Sequence, residues 1–188
     1  MERSYSAPRK YEEYAYVLDY VTRGKATTVR GREGIIITAI GEDRLTLLEV
    51  LGMQNTSFDI SERIYIGKEG RTKIMSVLGK LEFAHISAAA QSELKNVINL
   101  IVKNNEKRFV DYINNAQPLT PRIHALELIP GIGKTYMKTI LEEREKQKFE
   151  SFDDLQQRVG LKEPMKHIVD RIMDEITGEV KVTLFVKR

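Results

Sequence analysis

Between Tyr14 and Ile86 apolar residues fall in short runs broken by turn residues. Their spacing predicts strands at Tyr14–Val21, Thr27–Arg30, Gly34–Ile40, Leu45–Leu51, Ile64–Ile66 and Lys73–Leu81. Gly24, Gly31, Gly41, Gly52, Gly67 and Gly70 punctuate the runs. The third and fourth runs lie across Gly41, Glu42, Asp43 and Arg44, which reads as a hairpin. With no room for crossover helices, the pattern favours a small antiparallel barrel over a parallel sheet. An OB-like barrel is the first expectation; an SH3-like barrel would give the same text.

The period changes after Ser87, a residue suited to capping a helix, where Leu94, Val97, Ile98, Ile101 and Val102 recur at helical spacing. A shorter helix carrying Phe109, Val110 and Ile113 ends near Asn114 and Asn115. Thr120 and Pro121 then predict a helix start, with Ile123, Leu126 and Ile129 on its buried face. At the end of the chain, Val180, Val182, Leu184 and Val186 alternate with Lys181, Thr183, Phe185 and Lys187. That alternation predicts a strand, and a lone strand must join an existing sheet edge. The expected α+β organisation is therefore an OB-like β-barrel over 1–86, connecting helices over 87–116, a helical domain over 117–178, and a strand over 179–188 returning to the N-terminal sheet.

Composition narrows the chemistry. The formal net charge is only +3 in 188 residues, so charge by itself says little about partners. No apolar run reaches the roughly 20 residues needed to span a bilayer, and residues 1–20 lack a signal-type apolar block. With no cysteine, disulfides, thiol nucleophiles and cysteine-ligated metals are excluded, which fits a cytoplasmic address. His85, His124 and His167 stand alone in their stretches, and the adjacent acids Glu142 and Glu143, Asp153 and Asp154 diverge on a helix. We therefore expect no metal, no cofactor and no enzymatic site.

The segment Pro130, Gly131, Ile132, Gly133, Lys134 and Thr135 carries the most specific chemistry. Pro130 ends one helix, the glycines permit a tight turn, Ile132 anchors it, and a second helix follows with Met137, Ile140 and Leu141 buried. The first amides of that helix lack helical partners and carry the positive end of its dipole, a ready site for a phosphate oxygen. Lys134 adds charge and Thr135 a hydroxyl, and neither reads a base. The same residues do not make a phosphate loop, because Leu128 stands where that loop needs its first glycine.

At Leu126 through Ile140 the chain resembles the helix-hairpin-helix family. Phe149–Leu155 looks like the linker and third helix of the tandem form, with Ser151 and Asp154 as a capping box. Val159, Gly160, Leu161 and Lys162 stand where a second hairpin would be, and Pro164 opens the last helix. One glycine and the adjacent Glu163 make that second turn read as structural. The barrel-like front joined to this tail is similar to the archaeal family known as domain of unknown function 655. That resemblance implies a nucleic-acid-binding OB-fold protein associated with translation, and hence a lean toward RNA over DNA.

A second basic element comprises Arg23, Lys25, Arg30 and Arg32, which fall within ten residues free of acid, where small barrels present binding loops. Lys68, Arg71 and Lys73 form a weaker cluster, and Tyr14, Tyr16 and Tyr20 share a strand parity suited either to base stacking or to core packing. The expected function is sequence-tolerant binding of an RNA or DNA backbone at Gly131, Ile132, Gly133, Lys134 and Thr135 and at the basic barrel loop. The alternative is a protein-interaction scaffold in a repair or translation assembly, with ribosomal or repair proteins as partners. No membrane is expected among the partners.

Overall fold

In the computed structural model, which describes residues 11–22, 28–29 and 32–188, the N-terminal apolar runs become one antiparallel sheet. Its strands are β1 (Tyr14–Val21), β4 (Ile35–Gly41), β5 (Leu47–Gly52), β6 (Arg63–Tyr65) and β7 (Ile74–Lys80), ordered β6-β1-β4-β5-β7. The short strands β2 (Thr28–Val29) and β3 (Arg32–Glu33) pair separately. The five-strand sheet curls into a half-barrel, and among the described residues no ladder joins its edges β6 and β7. Its core draws on Val17, Ile37, Val50, Phe58, Ile64 and Ile74, all at most 3% exposed. The chain divides into two compact units, Met1–Leu94 with Phe185–Arg188, and Lys95–Leu184.

A bulge in β1 decides what its tyrosines do. Register shifts between Val17 and Asp19, so Ala15 and Val17 face the core and Tyr20, of opposite parity, packs against the same core. Tyr16 is 2% exposed, and Tyr14 meets Tyr65 edge-on at 5.3 Å with the Arg63 guanidinium 3.6 Å from its ring centre. Tyr14, Tyr16 and Tyr20 are thus packed differently and form no common stacking face.

The β4–β5 hairpin is fastened by a residue outside it. Glu12 accepts hydrogen bonds from the Asp43 and Arg44 amides at 2.9 and 2.7 Å. A side chain on Gly41 would lie 2.0 Å from the Glu12 carboxylate, so the glycine makes room for it. Burial pushes the Glu12 carboxyl above its ordinary range, against the opposing pull of those two amides.

Ser87 caps α1 (Ala88–Asn104) by accepting from the Ala90 amide at 3.1 Å, and its own hydroxyl donates to Asp19 at 2.6 Å. Leu94, Val97, Ile98, Ile101 and Val102 are fully buried along this helix. The last turn of helix α2 (Glu106–Asn115) carries Asn114, whose buried side-chain amide both donates to the Phe149 carbonyl at 2.9 Å and accepts its N–H at 2.8 Å. Helices α3 (Lys134–Lys146), α4 (Phe152–Val159) and α5 (Pro164–Thr177) follow. Ser151 caps α4, accepting from the Asp154 amide at 3.0 Å, and left-handed Gly160 ends it.

Two expectations need correction. The helix expected from Thr120 is instead a hairpin of β8 (Pro118–Thr120) and β9 (Ile123–His124), followed by a 3-10 turn at Ala125–Leu128. Thr120 does act as a cap, but its hydroxyl accepts the Ile123 amide, and this tightens the hairpin. Leu126 and Ile129 are buried because a 3-10 turn also aligns residues three apart.

The strand expected over 179–188 is also absent. Its backbone groups are taken by side chains of α5: Arg171 donates to the Val182 carbonyl, and Glu175 accepts from the Leu184 amide at 2.9 Å. Toward its end the tail meets the β4–β5 turn through a backbone bond from the Lys187 amide to the Arg44 carbonyl, 3.0 Å.

Arg171 and Glu175 are 6% and 2% exposed and pair at 2.9 Å, while Arg171 also donates to the Leu128 carbonyl at 3.1 Å. Arg171→Ala would take the guanidinium from a buried carboxylate and from two carbonyls, so a loss of about 3–5 kcal/mol in urea unfolding is expected. A loss under about 1 kcal/mol would show that water reaches the pair.

Candidate functional site

The 3-10 turn that leads into the glycine segment is started by His124, which is buried and whose Nδ1 accepts the Leu126 amide at 3.1 Å. This fixes the proton of the neutral ring on Nε2. Burial, and secondarily the Arg144 guanidinium, push His124 below the usual histidine value of 6.5. The chain then bends at Ile129, whose carbonyl accepts the Ile132 amide at 3.0 Å. Ile132 is 3% exposed and anchors the turn, leaving Gly131 and Gly133 at the surface.

The two glycines have different reasons to be glycine. Gly131 has φ +85°, and a Cβ there would lie 2.3 Å from Nδ1 of His167. Left-handed geometry and packing against α5 both require it. Gly133 has φ −83° and nothing within 4 Å of a Cβ position, so it is open to solvent and to any molecule approaching α3.

Helix α3 begins at that open residue. Gly133 provides no side-chain cap, no acid lies in the first turn, and the Gly133 carbonyl accepts from the Met137 amide at 2.9 Å. The Lys134 and Thr135 amides therefore stand ahead of the helical ladder, at the positive end of the dipole. Lys134, Thr135 and Tyr136 are all exposed, and no carboxylate among the described residues pairs with Lys134. The other end of α3 is closed by Arg158, which donates to the Glu143 and Gln147 carbonyls at 2.6 and 2.7 Å.

The turn between α4 and α5 contrasts with it. Glu163 caps α5 at φ 49°, and Pro164 contributes no amide. The Glu163 amide bonds Gln156 at 3.3 Å. That helix start presents an acid and fewer donors. His167 joins the two turns, with one nitrogen against Gly131 and the other 3.1 Å from the Lys162 carbonyl. Sequence reading missed this role, because a lone histidine in a helix gives no signal of a partner 36 residues away.

Of the barrel-loop cations, Arg23, Lys25 and Arg30 lie outside the described residues, and Arg32 enters as a backbone position paired with Val29. In the weaker cluster Lys68 is exposed, with its ammonium 5.2 Å from the Tyr11 ring centre, whereas Arg71 and Lys73 have structural partners. Arg71 donates to the carbonyls of Ile66, Gly67 and Met75, and Lys73 pairs with Glu62 at 2.7 Å over the Phe58 ring. Glu143 pairs with Lys146 and Arg158, and Asp154 with Arg158. Among the described residues no group of three or more metal-type ligands converges, and no helix is long and apolar enough to cross a membrane.

A curled antiparallel half-barrel followed by helices with an exposed glycine turn defines a two-unit α+β protein. Residues 11–187 match the family described as "Protein of unknown function (DUF655)", and the chain belongs to that family. It is similar to the uncharacterized protein MJ0038 of Methanocaldococcus jannaschii, 41% identical over 182 residues that cover 96% of this chain and 82% of the relative. It is also similar to Af1531 from Archaeoglobus fulgidus, whose crystal structure superposes with a TM-score of 0.82 at 40% identity, covering 94% of this chain and 100% of that one.

The glycine geometry makes a paired prediction. Gly131→Ala should destabilise by about 1–3 kcal/mol through left-handed strain and the collision with His167, whereas Gly133→Ala should melt like wild type within about 1 kcal/mol. Comparable melting of the two variants would contradict the asymmetry.

His124 makes a pH prediction. Its folded value lies below its unfolded one, so the unfolded chain binds more protons. The stabilisation is whole above 6.5 and is lost as pH falls through the lowered folded value. Melting curves from about pH 8 to about pH 5 should show this loss in wild type and a smaller one in His124→Asn. Identical slopes would remove His124 from the linkage.

Proposed function

We propose that this chain is a non-catalytic, largely sequence-tolerant nucleic-acid-binding protein that holds a backbone phosphate at the start of α3. In this reading the segment from the 3-10 turn through α5 is a tandem helix-hairpin-helix whose first helix is reduced to one turn, and the half-barrel is OB-like. The observation that carries it is the uncapped, acid-free start of α3, with Gly133 open and Lys134 and Thr135 exposed beside it. Gly133 supplies the close approach; Gly131 shapes the turn through its positive φ and its packing against His167. The amides and Lys134 reach phosphate and read no base, which supports sequence tolerance. RNA is slightly favoured over DNA by the translation association that the family resemblance implies.

A protein-docking role is the second reading, favoured by Leu119 and Ile123, which are 46% and 40% exposed on the β8–β9 hairpin.

Lys134→Glu tests the first reading, because it leaves the turn backbone untouched. Fluorescence polarisation with mixed-sequence RNA and DNA at two salt concentrations should show weaker binding for every sequence. For each phosphate that the variant no longer neutralises, the slope of log K against log salt should shrink by about 0.9 for duplex or about 0.7 for a single strand. Unchanged affinity and slope in a folded variant would take the α3 start out of the interface and favour docking of a protein.

A further inference from the structure

The half-barrel leaves a seam between its edge strands β6 and β7, and this seam holds a cavity of about 730 Å³. One end is braced by Arg71, whose guanidinium donates to Ile66 and Gly67 after β6 and to Met75 within β7, at 3.1, 2.6 and 2.8 Å. A rigid planar ion bonded to three carbonyls holds the edges at a set spacing. The cavity lining combines three kinds of group. Leu48, Ile66 and Val77 give it an apolar floor. Tyr65, held edge-on by Tyr14, gives it an aromatic wall, and a Cβ on Gly67 would lie 2.3 Å from the Tyr65 hydroxyl. Lys68 and Lys80 are exposed at its rim, Lys68 lies 5.2 Å from the ring centre of Tyr11 in the same lining, and no carboxylate among the described residues pairs with either lysine.

The acids in the lining do not cancel that rim. Glu12 is engaged by the Asp43 and Arg44 amides, Glu13 is half-buried with Arg44 in the same lining, and Glu69 is exposed next to Lys68. A bare phosphate has no use for an apolar floor and aromatic wall, and an apolar ligand has no use for two lysines without a carboxylate partner. A nucleotide uses both, a base for the apolar and aromatic slot and a phosphate for the lysines. The volume falls within the usual range of roughly 300–1,000 Å³ for small-ligand pockets.

We propose that the β6–β7 seam is a nucleotide site, with the base on Tyr65, Ile66 and Val77 and the phosphate on Lys68 and Lys80. The proposal deepens the nucleic-acid reading above, on which it rests for a nucleotide that belongs to a strand. As a binding site it stands independently of the α3 start.

The test measures two probes on the full chain, AMP by ligand-observed NMR and a fluorescein-labelled 12-nucleotide single strand by polarisation. Val77 is 37% exposed, so Val77→Trp fills the slot from a tolerant position; Lys68→Glu with Lys80→Glu reverses the rim, and melting checks both variants. AMP should bind wild type and lose about fivefold or more in affinity in each variant, while Lys134→Glu leaves it unchanged. Parallel weakening of the strand by Val77→Trp would identify the occupant as one unit of a strand. AMP binding without strand binding would support the seam as a site for a free nucleotide and sink the reading at α3. No AMP binding, or AMP binding indifferent to Val77→Trp, overturns the seam proposal, and a strand that then still responds to Lys134→Glu leaves the α3 reading standing.

Discussion

The buried pair of Arg171 and Glu175 sets the geometry on which the exposed part of the helical unit depends. Its guanidinium holds the Leu128 carbonyl at the end of the 3-10 turn, and the glycine turn begins two residues later. The same pair holds the tail at Val182 and Leu184. Two charges out of water are costly unless every lone pair and proton is met, and here carbonyls and an amide meet them. The glycine turn is therefore fixed from below by an ion pair and from the side by His167. An exposed helix start is useful for binding only when its amides do not have to be ordered by the ligand.

Internal support distinguishes the two turns of the helical unit more than their sequence similarity does. The turn before α3 has its one conformational oddity, Gly131, packed against His167, and its surface is plain backbone. The turn before α5 places its oddity, the positive φ of Glu163, on the outside. One surface offers amides ahead of the helical ladder, the other a carboxylate.

Much of this was legible in the sequence, and the failures have physical causes. The limits of β1 and the buried face of α1 followed from period and turn residues, because a half-buried strand and a core-facing helix each impose one spacing. The segment Thr120–Ile129 misled because spacing by three fits an α-helix and a 3-10 turn equally, and β8–β9 is too short to establish a period. The tail misled because alternation reports an extended backbone without saying whether a strand or side chains will satisfy it. Of the candidate site, the turn and its helix were readable from Pro130 to Thr135. The packing of Gly131 against His167 was not, since that histidine comes from a helix far along the chain.

The unclosed half-barrel carries a liability that its sequence offsets. Strand edges that pair with no further strand among the described residues are templates for pairing with another molecule's backbone, the usual first step of sheet aggregation. Strand β6 is only three residues long and opens with Arg63, whose side chain is pulled onto Tyr14 and Glu42. Strand β7 has a broken register against β5, ends in Lys80, and has its Met75 carbonyl occupied by Arg71. The short length of β6, the irregular register of β7 and the charge at their borders all oppose the pairing of either edge with a neighbouring sheet.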